Sequence, residues 1–101
     1  MSDRNKEEGP HHLDIAALDT YMLLSLFASI LTTKAWQHLG LRVKPGTDKA
    51  EKDLDRARVA IDCVSFLIDK LEKHLTEKEK NEMRRVVTDL QINFARLSPE
   101  K

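Results

Sequence analysis

Hydrophobic positions with helical spacing fall into three segments of the chain. The first begins at Asp19 or Thr20, which are capping residue types, and ends near His38, just before Gly40. Placed at about 100° per residue, its apolar residues form one stripe, a second stripe beside it and a group on the far side. These sets are Leu24, Ala28, Leu31, Ala35 and Leu39; then Leu23, Phe27 and Ile30; then Met22, Leu26 and Trp36. A helix that is apolar nearly all round must be buried on more than one side.

The second segment carries a heptad seam. Pro45-Gly46 predicts a turn before it, and Asp48 with Glu51 predicts a capping box, with Thr47 as the alternative cap. The helix is then predicted to run to about His74, with apolar residues spaced alternately by four and three. The seam residues are Ala50, Leu54, Ala57, Ile61, Val64, Ile68, Leu71 and Leu75.

The middle of this second helix is more apolar than its ends. Between Val59 and Ile68 the apolar arc widens, so we expect this part to pack on two sides. Cys63 lies within the arc and is the only cysteine of the chain, so it cannot form an internal disulfide. We therefore predict a reduced, buried and structural thiol, as is typical of a cytosolic protein.

The third segment predicts an amphipathic helix with one face in water. Thr76 and Glu79 form a second predicted capping box, and the helix runs from Glu77 to about Leu97, where Ser98-Pro99 ends it. Its narrow apolar stripe consists of Met83, Val86, Val87, Leu90, Phe94 and Leu97. Only Ile92 lies opposite that stripe.

These segments predict one all-α domain of three helices over residues 14–97. Helices 2 and 3 form a long antiparallel hairpin, and helix 1 packs across or beyond it. We expect a disordered polar tail over residues 1–13 and a short C-terminal tail over 98–101. A turn over residues 14–18 either precedes helix 1 or fuses with it.

The chain is predicted to be a homo-oligomer, with a twofold dimer favoured. Its ordered part is only about 80 residues long and lacks a disulfide, so a single core of this size is marginal. The predicted interface lies on helix 1 and comprises Met22, Leu23, Leu26, Phe27, Ile30 and Trp36. The alternative is that the segment Leu13–Leu18 folds back and covers this side.

The charges are balanced, with 17 Lys and Arg against 17 Asp and Glu in 101 residues. This balance disfavours nucleic acid and anionic membranes as partners. Seven bases surround the bend between helices 2 and 3, but glutamates are interleaved with them and no aromatic residue stands among them. They are Lys70, Lys73, His74, Lys78, Lys80, Arg84 and Arg85.

No membrane span or targeting segment is expected. The longest apolar stretch without charge, Thr20 to Thr33, is shorter than the roughly 20 residues that a membrane helix needs. The first 12 residues are polar and mixed in charge, so we expect a cytoplasmic location.

No catalytic, cofactor or metal site is predicted. His11 and His12 are the only close pair of metal-ligand types, and they fall in the predicted tail. His38 and His74 end helices, where a donor satisfies free carbonyl groups. No paired carboxylates or glycine-rich loop indicate acid–base or phosphate chemistry.

Three pieces of the sequence resemble a known bacterial family, domain of unknown function 1844. The first runs from Ser25 through Ala35 to His38-Leu39-Gly40-Leu41; the second is Ile61-Asp62; the third is Leu75-Thr76 with Glu79 and Asp89-Leu90. Lys73-His74 stands where members usually have a Gly-Asn pair. The resemblance covers residues 20–97 and implies a short, helical, cytoplasmic protein with no established activity.

The sequence favours a non-enzymatic function, namely a helical oligomerisation or protein-interaction module. Two alternatives stay open. One is a helical bundle that binds a small molecule or a lipid on the apolar surface of helix 1. The other is a factor associated with RNA or the ribosome through the basic bend.

Overall fold

Three α-helices make up the protein. The computed structural model describes residues 14–43, 45–46 and 50–99, which include α1 (Thr20–His38), α2 (Leu54–Leu71) and α3 (Glu77–Leu97). No β-strand occurs in these ranges, so the predicted all-α fold of three helices is confirmed. Short 3-10 turns lie at Ile15–Ala17, ahead of α1, and at Glu72–His74, after α2.

Helix α1 begins and ends where its sequence predicts. The Asp19 carboxylate accepts a hydrogen bond from the Tyr21 N–H at 2.9 Å. At the other end Gly40 has φ +80°, and the Leu41 N–H donates to the Trp36 carbonyl at 3.0 Å. This is the glycine-containing C-terminal motif in which the left-handed residue turns the chain away from the helix.

The predicted start of α2 is wrong. Asp48 lies outside the described residues, and Glu51 precedes the helix instead of capping it, because α2 begins at Leu54. The cap is Asp53, whose carboxylate accepts the Arg56 N–H at 3.1 Å and pairs with the Arg56 guanidinium at 2.7 Å. The backbone and side-chain hydrogen bonds from Arg56 lower the pKa of Asp53.

Contacts with the end of α1 explain this later start. The Asp53 N–H donates to the His38 carbonyl at 2.7 Å, and Lys52 forms an isolated antiparallel bridge with Leu39. These bonds hold residues 52 and 53 extended, so the helix cannot include them. Ala50, predicted as the first seam residue, is exposed ahead of the helix for the same reason.

Helices α1 and α2 form an antiparallel hairpin, and both helices have buried alanines. One end is closed by the His38–Asp53 hydrogen bond, and at the other end the Tyr21 ring stacks on His74 with centroids 3.6 Å apart. Four alanines are buried, Ala28 and Ala35 on α1 and Ala57 and Ala60 on α2, and Leu39 and Ile61 share one core cluster with three of them. Residues as small as alanine let helix axes approach to about 8 Å.

Helix α3 packs on α2 and barely contacts α1. Leu90 joins the core cluster of Ala35, Ala57 and Ile61, and Val87 packs on Val64 and Ile68. The predicted seam of α2 is therefore buried from Ala57 to Leu71.

The bend into α3 is fixed by a capping box and an ion-pair bridge. The Glu79 N–H donates to the Thr76 hydroxyl at 3.1 Å, and the Thr76 N–H donates to the Glu79 carboxylate at 2.9 Å, as predicted. The Arg84 guanidinium binds Asp69 at 2.6 Å and Glu72 at 2.9 Å. These hydrogen bonds raise the pKa of Arg84 above its ordinary value.

The predicted burial of Cys63 is wrong, because this thiol is exposed. The apolar arc of α2 is wider than its two neighbours cover: α1 packs on one side of the seam and α3 packs on the other. Val59, Cys63 and Phe66 lie on the remaining side and face outward.

No helix of the described residues combines the length and the hydropathy that crossing a bilayer requires.

Replacing Thr76 by Ala is expected to lower the free energy of unfolding by about 1 kcal/mol, because the first turn of α3 loses its cap. The loss should shrink when Glu79 is already Ala, since the two side chains act reciprocally. Chemical denaturation of the four proteins of this cycle measures both effects. Additive losses would show that the two hydrogen bonds are independent.

Candidate protein-interaction face

An apolar groove runs along the outside of the α1–α2 hairpin, on the side opposite α3. It has a volume of about 540 Å³ and no polar lining. Its lining residues are Phe27, Ile30, Leu31, Cys63, Phe66 and Leu67, and we call them the apolar face. Leu31 also packs against the core, so the floor of the groove is continuous with the interior.

The large side chains of this face are open to solvent. Phe66 is 57% exposed, Ile30 is 52% exposed and Phe27 is 43% exposed. Exposed Val59 extends the face by one turn along α2. Scattered exposed apolar residues are normal in soluble proteins, but adjacent ones that line one groove are a candidate interaction site.

The structure divides the predicted interface residues of α1 between two sides. Phe27 and Ile30 line the groove, and Leu23 is half-buried one turn before them. Met22 is exposed and Leu26 half-buried. Trp36 lies apart from this face: it is half-buried against the core and lines a cleft between α1 and α3.

The contribution of α2 to the face was missed by sequence reasoning. Cys63, Phe66 and Leu67 were assigned to a buried arc, yet all three line the groove. A signal was available, because Val59, Cys63 and Phe66 repeat the spacing of four and three on a second side of the helix. A second seam on one helix requires a packing partner in addition to those that cover the first seam.

A lysine lies at the edge of the face. The Lys70 ammonium is 5.2 Å from the centroid of the Phe66 ring, within the range of a cation–π contact. This contact holds the charge beside the ring while leaving most of the phenyl surface open.

The cleft on the opposite side has a different character. It has a volume of about 360 Å³, and Ser25, Ser29, Thr32 and Thr33 of α1 line it together with apolar residues of α2 and α3. The Thr32 hydroxyl donates to the Ala28 carbonyl at 2.8 Å, and the Thr33 hydroxyl donates to the Ser29 carbonyl at 3.4 Å. These two threonines therefore satisfy their donors within α1.

The basic cluster at the bend is largely engaged in contacts within the chain. Arg84 lies between two carboxylates, Lys80 is 3.5 Å from Glu77, and Lys70 contacts Phe66. Two aromatic rings lie beside the cluster: Tyr21 is stacked on His74, and Phe66, next to Lys70, belongs to the apolar face. Four of the seven bases are thus in contacts with other side chains of the chain.

Titratable groups are gathered most closely where α1 meets the start of α2. A depression of about 260 Å³ is lined by Gln37, His38, Glu51, Lys52, Asp53 and Arg56. The carboxylate of Asp53 is committed to capping α2 and to Arg56, so its role is structural. Among the described residues, no three His, Cys, Asp or Glu side chains converge as metal ligands would. His11 and His12 lie outside the described residues.

Comparisons with known proteins identify a family and no relative of known activity. No curated protein and no solved structure shows significant similarity to the chain. One family model, described as domain of unknown function (DUF1844), matches residues 21–96, which span all three helices. The chain therefore belongs to the DUF1844 family.

Proposed function

We propose that this protein is a helical oligomerisation module of the bacterial cytoplasm, which acts by binding through its apolar face and not by catalysis. One observation carries the proposal. Two phenylalanines, Phe27 and Phe66, line one groove on the outside of the α1–α2 hairpin and are exposed, although they are among the largest apolar side chains of the chain.

The energetics of these exposed phenylalanines favour a protein partner. Burying a Phe side chain contributes about 1.5–3 kcal/mol, far more than burying an Ala methyl group. In a single chain, much of the side-chain surface of Phe27 and Phe66 stays in contact with water and contributes nothing to stability. A second apolar surface bound to the face would bury these side chains. It would also enlarge the hydrophobic core, which is small in a domain of about 80 residues.

A second candidate function, binding of an apolar small molecule or a lipid, is favoured by the size of the groove. Its volume of about 540 Å³ falls within the range of ligand pockets, roughly 300–1,000 Å³. Such pockets enclose most of the ligand and orient it by a few polar groups, but this groove is open and has no polar lining. Native mass spectrometry distinguishes the two functions, because a bound molecule adds a small mass to each chain.

We expect the purified protein to elute with twice its chain mass of 11.6 kDa, measured by light scattering during gel filtration. Phe66→Glu should weaken association by about a hundredfold or more, because an unpaired carboxylate buried in an interface costs several kcal/mol. The matched control is Ile92→Glu on α3, since Ile92 is 55% exposed and Phe66 is 57% exposed. A wild-type mass near 11.6 kDa at micromolar concentration, or equal effects of the two substitutions, would refute the proposal.

Thiol labelling provides an independent test, because Cys63 lies within the apolar face. The labelling rate should approach that of the denatured chain in very dilute protein. It should fall by roughly tenfold or more once the concentration favours the oligomer, since solvent is then excluded from the thiol. In the Phe66→Glu variant the rate should stay fast at every concentration. A wild-type rate that is the same before and after association would place the interface elsewhere.

A further inference from the structure

The hairpin presents two exposed seams, one on each helix, with the same spacing of four, three and four. On α1 the seam is Leu23, Phe27, Ile30 and Lys34; on α2 it is Val59, Cys63, Phe66 and Lys70. Each helix already uses a different stripe to pack within the chain. Helices with two seams of this period are the elements from which four-helix bundles are built.

The antiparallel hairpin places these seams in register. The Tyr21–His74 stack and the His38–Asp53 hydrogen bond fix the two ends of the hairpin. Between those ends, each residue of one seam lies level with one residue of the other, which gives four layers. The layers are Leu23 with Lys70, Phe27 with Phe66, Ile30 with Cys63, and Lys34 with Val59. The two inner layers, Phe27 with Phe66 and Ile30 with Cys63, line the same groove.

We infer that the partner of this face is a second copy of the chain, with α1 antiparallel on the second copy's α1 and α2 antiparallel on its α2. This inference rests on the proposed function and specifies its geometry. The two hairpins then form an all-antiparallel four-helix bundle, and each α3 lies on the outside. The twofold axis is perpendicular to the helices and lies in the interface, between the two inner layers.

The size of the face suits such a dimer. At 1.5 Å per residue, the 19 residues of α1 span about 28 Å, and two adjacent helices are about 20 Å wide. When the whole outer side of each hairpin is covered, the two copies together bury on the order of 1,100 Å². This area reaches the roughly 1,000 Å² expected of a specific interface.

The side-chain volumes in the two inner layers favour this twofold axis over one that is parallel to the helices. With the axis across the helices, Phe66 opposes Cys63 of the second copy and Phe27 opposes its Ile30, so large side chains meet smaller ones. An axis parallel to the helices would place four phenyl rings in one layer and only Ile30 and Cys63 pairs in the next. The first arrangement fills both layers evenly.

The charges at the ends agree with the same axis. Lys34 and Lys70 lie at opposite ends of the face, so Lys34 opposes Leu23 and Lys70 opposes Val59 of the second copy. Exposed Asp55 lies one turn before Val59 on α2. The ammonium group of Lys70 therefore lies near a carboxylate of the second copy, and no two lysines oppose each other.

Engineered disulfides test this packing. In a Cys63→Ser background, the double variant Leu23→Cys/Lys34→Cys should form covalent dimers on mild oxidation, because position 23 of each copy faces position 34 of the other. The two positions are about 16 Å apart along one helix, too far for a bond within a chain. Non-reducing electrophoresis should show at least tenfold more covalent dimer than either single-cysteine variant gives. In the single variants, the two equivalent positions of a dimer lie about 16 Å apart along the axis.

Light scattering on the same samples separates the possible failures. A monomeric mass for the wild type refutes the proposed function together with the geometry. A dimeric mass without a disulfide in the double variant, or with equal bonding in a single variant, refutes this geometry alone. If Leu23→Cys/Lys34→Cys does not fold or associate, Val59→Cys/Lys70→Cys tests the same axis on α2, where these positions oppose each other between copies.

Discussion

The contact between α1 and α2 is the constraint on which the rest of the structure depends. Ala35 and Ala57 are fully buried in it, and side chains of this size let two helix axes approach closely. The hairpin is closed by the Asp53 N–H, which donates to the His38 carbonyl with an N···O distance of 2.7 Å, and α2 begins at the next residue. A larger side chain at either alanine would push the helices apart and break these closing bonds together with the contact.

The packing of the three helices leaves some large apolar side chains outside the core. Phe27 and Phe66 lie on the outer side of the hairpin, and α3 covers only the other side of α2. Burial of the alanines contributes less apolar area than burial of the exposed phenylalanines would. One side of α2 therefore carries the fold, and another side exposes its apolar residues to solvent.

The sequence predicted the helices more successfully than their surfaces. The ends of α1 and the start of α3 were correct because Asp19, Gly40 and Thr76 act through hydrogen bonds within a few residues of themselves. The start of α2 was wrong because a bond to the distant carbonyl of His38 overrides the local capping signal at Asp48. Local patterns cannot reveal such a bond, which depends on how the two helices meet.

Cys63 illustrates the same limit at the site itself. Its position in an apolar arc indicates a packed environment, but periodicity does not tell whether the packing partner belongs to the same chain. The chain has three helices, and α2 has apolar residues enough for three neighbours, of which α1 and α3 are two. The other helices of the chain cover only part of this apolar arc. The apolar side chains that they leave exposed therefore indicate where a partner would bind. In this protein they define a face that also includes one side of α1, the helix that is apolar nearly all round.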